Sequence, residues 1–159
     1  MKGSISGRSK DIKTYEHMIR FKDKSKEIEI EVSGYEFEYD KVDDEYDRNW
    51  LNVSVRYRNG ARESSITDPS ILTWEIKDTI NWLEGFLGED CDDTLEGDYL
   101  EPYIWFHLRR RNGVLSGDFH IGYSNVIPSC VFKGTFSSEW LGNIIAELKA
   151  ILERFPERD

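Results

Sequence analysis

The chain has 159 residues, long enough to bury a proper core, and 31 Asp and Glu outweigh 21 Lys and Arg to leave a net charge of −10. Such a charge argues against a nucleic-acid partner, because that affinity comes largely from neutralising phosphates with Lys and Arg. It favours a basic protein partner through long-range steering, although acidity that serves only solubility is an equally open reading. The two cysteines, Cys91 and Cys130, are too few for a disulfide framework. With no CxxC and no clustered histidines they do not describe a zinc site either, so no metal and no cofactor is expected. No apolar run approaches membrane-spanning length and no apolar signal core opens the chain, so a cytoplasmic protein without membrane attachment is expected.

Residues 1–17 are small, polar and mildly basic, and are expected to be a disordered basic tail, a tag remnant or an overlong start outside the fold. Residues 18–159 are expected to make a single α+β domain. From Met18 to Thr67 the pattern is β. Ile28, Ile30 and Val32 alternate with Glu27, Glu29 and Glu31, which predicts a half-buried strand with a solvated acidic face. Tyr35, Phe37 and Tyr39 resume the alternation, and after an acidic loop Leu51, Val53, Val55 and Tyr57 repeat it. Asn59-Gly60 supplies a hairpin turn, since both residue types tolerate positive φ.

Asp68-Pro69 predicts a helix start, with Asp as N-cap and Pro at the first helical position. Leu72, Ile76, Ile80, Leu83 and Leu87 then fall on one face, with Trp74 on the other, and the helix gives out near Gly88. Residues 99–111 and 114–123 are expected to pair around Asn112-Gly113, and 127–136 to add a third strand. Ser137 or Ser138 caps a last helix with Trp140, Leu141, Ile144, Ile145, Leu148, Ile151, Leu152 and Phe155 on one broad face. The fold expected is a mainly antiparallel sheet with two helices packed on one face, one after each block of strands.

The Asn112-Gly113 turn permits a register argument. A two-residue turn sets Arg111 opposite Val114, so Arg109 faces Ser116, His107 faces Asp118 and Trp105 faces His120. Ile104 with Ile121 and Phe106 with Phe119 then fall on the core face. The outward face carries two histidines, an arginine, a carboxylate and a tryptophan. Three readings stay open: acid–base chemistry on a phosphodiester through His107 and His120, a binding patch anchored by Trp105, or an ordinary polar sheet face.

The segments 36–47 and 89–101 each hold seven carboxylates and share one basic residue, Lys41. Neither spaces its oxygens as a calcium loop does. Asp92, Asp93, Glu96 and Asp98 are therefore candidates for attracting a basic partner, with Trp74, Trp105, His107 and His120 as candidate anchors. No catalytic residue is assigned. Cys130, among alternating apolar neighbours, reads as a packed small hydrophobe, and Cys91 among carboxylates as a dull thiol. No glycine-rich phosphate loop joins a strand to a helix.

The segments Asp47-Arg48-Asn49-Trp50-Leu51-Asn52-Val53 and Asp68-Pro69-Ser70-Ile71-Leu72-Thr73-Trp74-Glu75, the latter running on to Trp82-Leu83, carry a resemblance. With a Glu101-Pro102 strand and the amphipathic C-terminal helix in order, the chain resembles the WapI-like family of immunity proteins over about residues 18–156. That family protects bacteria against their own contact-dependent polymorphic toxins. The resemblance implies a cytosolic antitoxin that neutralises a cognate toxin domain by binding it, and it brings no catalytic residues. A basic nuclease is the toxin class that the acidic charge suits. The alternatives are a metal-independent phosphodiesterase using His107 and His120, and a generic acidic protein-binding scaffold.

Overall fold

The computed structural model describes residues 18–123 and 125–159, so the tail expected over 1–17 lies outside the described residues. Eight strands form two four-stranded antiparallel sheets, each a meander in chain order. The first holds β1 (Met18–Asp23), β2 (Lys26–Tyr35), β3 (Trp50–Asn59) and β4 (Arg62–Leu72), with a short helix α1 (Glu45–Asn49) in the β2–β3 connection. Helix α2 (Thr73–Gly88) then leads to β5 (Asp93–Gly97), β6 (Ile104–Arg111), β7 (Val114–Tyr123) and β8 (Ile127–Phe136), and α3 (Ser138–Arg154) follows. The α+β class and the plan of strands then helix, twice over, are those expected. The strands divide between two sheets because α2 leaves edge strand β4 of one sheet and delivers the chain to edge strand β5 of the other.

Period-two alternation decides which face each strand buries. Ile28, Ile30 and Val32 of β2 and Leu51, Val53, Val55 and Tyr57 of β3 are all buried. From the second sheet come Phe106, Leu108, Leu115, Ile121, Ile127, Cys130 and Phe132. Helix α2 adds Ile76, Ile80, Leu83 and Phe86, and α3 adds Leu141, Ile145, Leu148 and Ile151, all in one continuous cluster with the strands. Each fully buried side chain of this size contributes about 1.5–3 kcal/mol relative to exposure. Ser137 caps α3 by accepting the Trp140 N–H at 3.0 Å, as expected of that position.

Several local expectations are corrected. Asp68 and Pro69 lie inside β4, opposite Val53 and Asn52, where a bulge shifts the register. Because β4 is an edge strand, the donor that Pro69 lacks costs no ladder bond. The helix starts instead at Thr73, where Glu75 Oε2 accepts the Leu72 N–H at 2.9 Å. Phe37 and Tyr39 follow the end of β2, and Glu101-Pro102 forms a turn before β6. Within the acidic segment, residues 93–97 pair with β6 as β5. The β3–β4 hairpin loop is Gly60-Ala61, with Asn59 still paired to Arg62 and Gly60 supplying the positive φ of 61°.

The outer face of the first sheet is not free acid. Arg20, Arg56 and Arg58 from β1 and β3 interleave with Glu27, Glu29 and Glu63 from β2 and β4 at 3.0 to 3.9 Å. Glu29 at the centre is only 8% exposed. Arg20–Glu29, Arg56–Glu29, Arg58–Glu27 and Arg58–Glu63 sit directly across the strands and the other three pairs run diagonally, positions where opposite charges support the ladder.

The chain's last residues fold back onto α1 through Asn49, which is fully buried. Its Nδ2 donates to the carbonyls of Glu45 and Arg158, and its Oδ1 accepts the Thr73 hydroxyl and the Arg158 N–H, all within 2.7 to 2.9 Å. One amide therefore satisfies α1, the first turn of α2 and the C-terminal segment together. Arg158 lies over the Tyr35 ring and donates to the Phe37 carbonyl at 3.0 Å.

Two predictions follow from this packing. Leu148→Ala, on the buried face of α3, should cost roughly 2–5 kcal/mol through lost burial and a cavity, while Asn143→Ala on the exposed face should stay within about 0.5 kcal/mol of neutral; urea unfolding reads both. Asn49→Ala orphans the buried Thr73 hydroxyl and the part-buried backbone groups of Glu45 and Arg158 and should cost about 2–4 kcal/mol, and amide exchange should rise first at Arg158 and Thr73.

Candidate protein-binding face

The β6–β7 hairpin turns through Asn112 and Gly113, both at positive φ (51° and 77°). That conformation matches the right-handed strand twist and allows one register. The observed pairs are Arg111 with Val114, Arg109 with Ser116, His107 with Asp118 and Trp105 with His120, as the sequence predicts. Phe106 opposite Phe119 and Ile104 opposite Ile121 turn inward. Gly97 of β5 pairs with Phe106, and a Cβ there would fall 2.1 Å from the Phe106 ring, so glycine is what lets that ring lie flat beneath the strand.

On the outward face, Trp105 and His120 stack with centroids 3.4 Å apart and planes 10° from parallel. The indole remains 43% exposed. Arg109 Nη2 donates to Asp118 Oδ2 at 3.1 Å and to His107 Nδ1 at 3.0 Å. A guanidinium has no acceptor, so Nδ1 is the accepting nitrogen and the ring proton is assigned to Nε2, which lies 4.0 Å from Glu96 Oε1. The chain of contacts thus runs Glu96, His107, Arg109, Asp118 across three strands, and Lys133 of β8 stands opposite Asp118.

The electrostatics follow from these contacts. The hydrogen bond from Arg109 holds the Asp118 carboxyl below its ordinary range, with the charges of Arg109, Lys133 and His120 adding to it. Burial pushes the His120 imidazole below its usual value, the Asp118 carboxylate opposes that, and Lys133 adds a smaller push downward. His120 is therefore a neutral ring stacked on Trp105 at neutral pH. The Nδ1 of His107, the nitrogen a base would use, is occupied by a cationic donor.

Of the candidate residues, Glu96, Trp105, His107 and His120 come together on this face. Trp105 separates two grooves. One is lined by Glu96, Asp98, Tyr99 and Pro102, and the other by His120, Tyr103, Ile127 and Ser129. Asp93 is exposed at the start of β5, where its carboxylate accepts the Thr94 N–H at 2.8 Å. Asp92 is exposed too, but its Oδ1 accepts the Asn112 N–H at 2.8 Å and so braces the hairpin turn. Trp74 belongs elsewhere: it is half-buried on α2 and meets the Tyr46 ring edge-on at 5.0 Å, so it is not the open anchor its helical phase suggested. Trp82, 36% exposed on the same helix, was not foreseen as a surface ring.

A buried arginine also escaped the sequence reading. Arg110 is 6% exposed, lies over the Phe86 ring, and donates to the Phe86 carbonyl at 2.5 Å and the Cys91 carbonyl at 3.4 Å. It caps the last turn of α2, where carbonyls lack helical partners and a positive charge is favoured. With Asp92 it fastens the acidic segment beneath the hairpin. Cys130 is buried as expected, and burial raises its thiol.

The face thus combines a stacked aromatic pair with an arginine-centred polar network, and among the described residues His107 is engaged by Arg109 and His120 by the Trp105 indole. Compared with known protein families, residues 18–156 match the immunity protein WapI-like family, and the chain belongs to it. Among curated proteins none matches. A solved structure described as that of the plant transcriptional regulator PBF-2 aligns over 89% of this chain and 89% of its own at 11% identity, with a TM-score of 0.41, a likeness too low to carry an argument. Among the described residues, no helix is long and apolar enough to cross a membrane.

The lowered His120 makes a pH prediction. A folded-state value below the ordinary 6.5 means that protons bind the unfolded chain better, so the stability tied to the neutral ring is whole above about 6.5 and is lost as pH falls through the folded value. Urea midpoints measured at about pH 8 and about pH 5 should therefore fall more for the native chain than for His120→Gln. Equal falls would mean that His120 does not sense its stacked position.

Proposed function

We propose that this chain neutralises a cognate toxin domain by binding it, and that the outer face of β5–β8 with the adjoining acidic loop is the surface that does so. The family membership supports an immunity role, and the observation that selects the surface is the stacked Trp105–His120 pair, an exposed aromatic anchor braced from behind. The outer face of the first sheet is a poorer candidate, because its charges already satisfy one another. The partner proposed is a basic toxin domain, with a nuclease as the class that best suits a charge of −10: an enzyme that binds a polyanion is positive where it works, and an acidic inhibitor is steered to the same place. A cytoplasmic site of action and the lack of chemistry of its own belong to the same proposal. The competing phosphodiesterase reading asks His107 for a free Nδ1, and that nitrogen accepts from Arg109.

The test is binding kinetics against the toxin domain encoded beside this chain. The association rate should fall as salt rises, since screening shortens the steering field. Asp93→Lys should lower that rate with little change in dissociation, whereas Trp105→Ala should mainly speed dissociation. Asp93 is the better probe than Asp92, whose reversal would also release the Asn112 turn. No binding to the neighbouring toxin would sink the immunity reading. RNA turnover by the purified chain that vanishes in His120→Ala would replace it with the enzyme.

A further inference from the structure

We infer that the groove between Trp105 and the end of β5 is a subsite for a guanidinium side chain presented by the partner. This deepens the proposed function and rests on it for the identity of the protein that brings the arginine, but the subsite itself is argued from geometry. The Trp105 ring has two faces. His120, directly across on β7, covers one of them at 3.4 Å. On its other side β6 pairs with β5, whose last paired residue, Gly97, sits opposite Phe106. Asp98 is the next residue, and continuing the antiparallel register brings it level with Trp105. The second ring face therefore looks onto the groove of about 430 Å³ lined by Glu96, Gly97, Asp98, Pro102 and Trp105 itself.

The chemistry of that groove selects a planar cation. An indole face attracts a cation through its quadrupole, and tryptophan does so best among the aromatic side chains. Two carboxylates, those of Glu96 and Asp98, line the same groove as the ring. Glu96 keeps 82% of its side chain in solvent and has His107 Nε2 as its neighbour at 4.0 Å, so it is available to accept. Asp98 is exposed. Gly97 also lines the groove, and the Phe106 ring packs into the space that a side chain there would take. A guanidinium is flat, so it stacks on the indole and still directs donors in its plane to the groove's carboxylates; an ammonium meets the ring as a point charge. His120 completes the arrangement by fixing the indole in one orientation, which removes much of the ordering cost that a free surface tryptophan would carry into a complex. A basic partner is thus recognised by an inserted arginine as well as by net charge.

The probe is a blocked Gly-Arg-Gly peptide titrated into the isotope-labelled chain, with Gly-citrulline-Gly as its neutral isostere and Gly-Lys-Gly as its point-charge counterpart. The expected result is a saturable shift of the Trp105 indole N–H and the Gly97 amide with the arginine peptide, weaker with lysine and absent with citrulline. Glu96→Gln combined with Asp98→Asn, which leaves the ring in place, should weaken the arginine response by about tenfold or more, as should Trp105→Ala. A citrulline response equal to that of arginine, or shifts confined to the acidic segment 36–47, would overturn the subsite. The two levels fail separately. A toxin that binds the native chain while Gly-Arg-Gly leaves Trp105 untouched removes the subsite and keeps the immunity reading. A saturable arginine response with no toxin binding keeps the subsite and removes the reading.

Discussion

The turn at Asn112-Gly113 holds two consecutive residues at positive φ and thereby locks β6 against β7 in a single register. A slip of one residue would exchange the faces of the strand, bringing Trp105 and His107 into the core and turning Phe106 and Leu108 out to water. That exchange would cost several buried side chains at about 1.5–3 kcal/mol each, so the core itself enforces the outward display. The turn is also braced from outside. Asp92 accepts the Asn112 N–H, and Arg110, two residues before the turn, is fastened to the carbonyls of Phe86 and Cys91. Part of the acidic segment thus has a structural duty, while Asp93, Glu96 and Asp98 stay exposed along and just after β5.

The two sheets solve the same problem differently on their outer faces. In the first, arginines and glutamates alternate across all four strands and neutralise one another, which yields a solvated surface with little left to offer. In the second, one arginine serves both a histidine and a carboxylate, a histidine is spent on stacking, and an indole remains open beside two carboxylates. Rigid aromatic area flanked by charge is what interfaces use, because it loses little entropy on binding. In the proposed complex, the chain's net acidity and its local anchor act at different distances: the first brings a basic partner near, and the second holds it.

Much of this was legible in the sequence, for reasons that differ by element. The β6–β7 register and the α3 face were readable because an Asn-Gly turn and a period of 3.6 each leave one solution. Asp68-Pro69 misled because its capping signal is local, whereas the pairing of Asp68 with Val53 across the sheet is not, and edge position removed the penalty on proline. Strand β5 was hidden by its carboxylates, since a short edge strand can be acidic where one face is solvent. The burial of Arg110 and the clasp through Asn49 could not be read from periodicity at all: each depends on backbone groups brought from far along the chain. Asn49 lies within the Asp47–Val53 segment that carries the family resemblance, and in this chain it fastens the C-terminal segment to α1.

The central claim is that the outer face of β5–β8 is the surface that meets the toxin. The most direct measurement is a nuclear magnetic resonance footprint of the labelled chain bound to its toxin domain, read at side chains as well as amides. The account predicts perturbation centred on Glu96, Trp105, His107 and His120, with the Arg20–Glu29–Arg56 lattice on the other sheet unchanged. A footprint centred on that lattice, with the Trp105 indole unmoved, would contradict it.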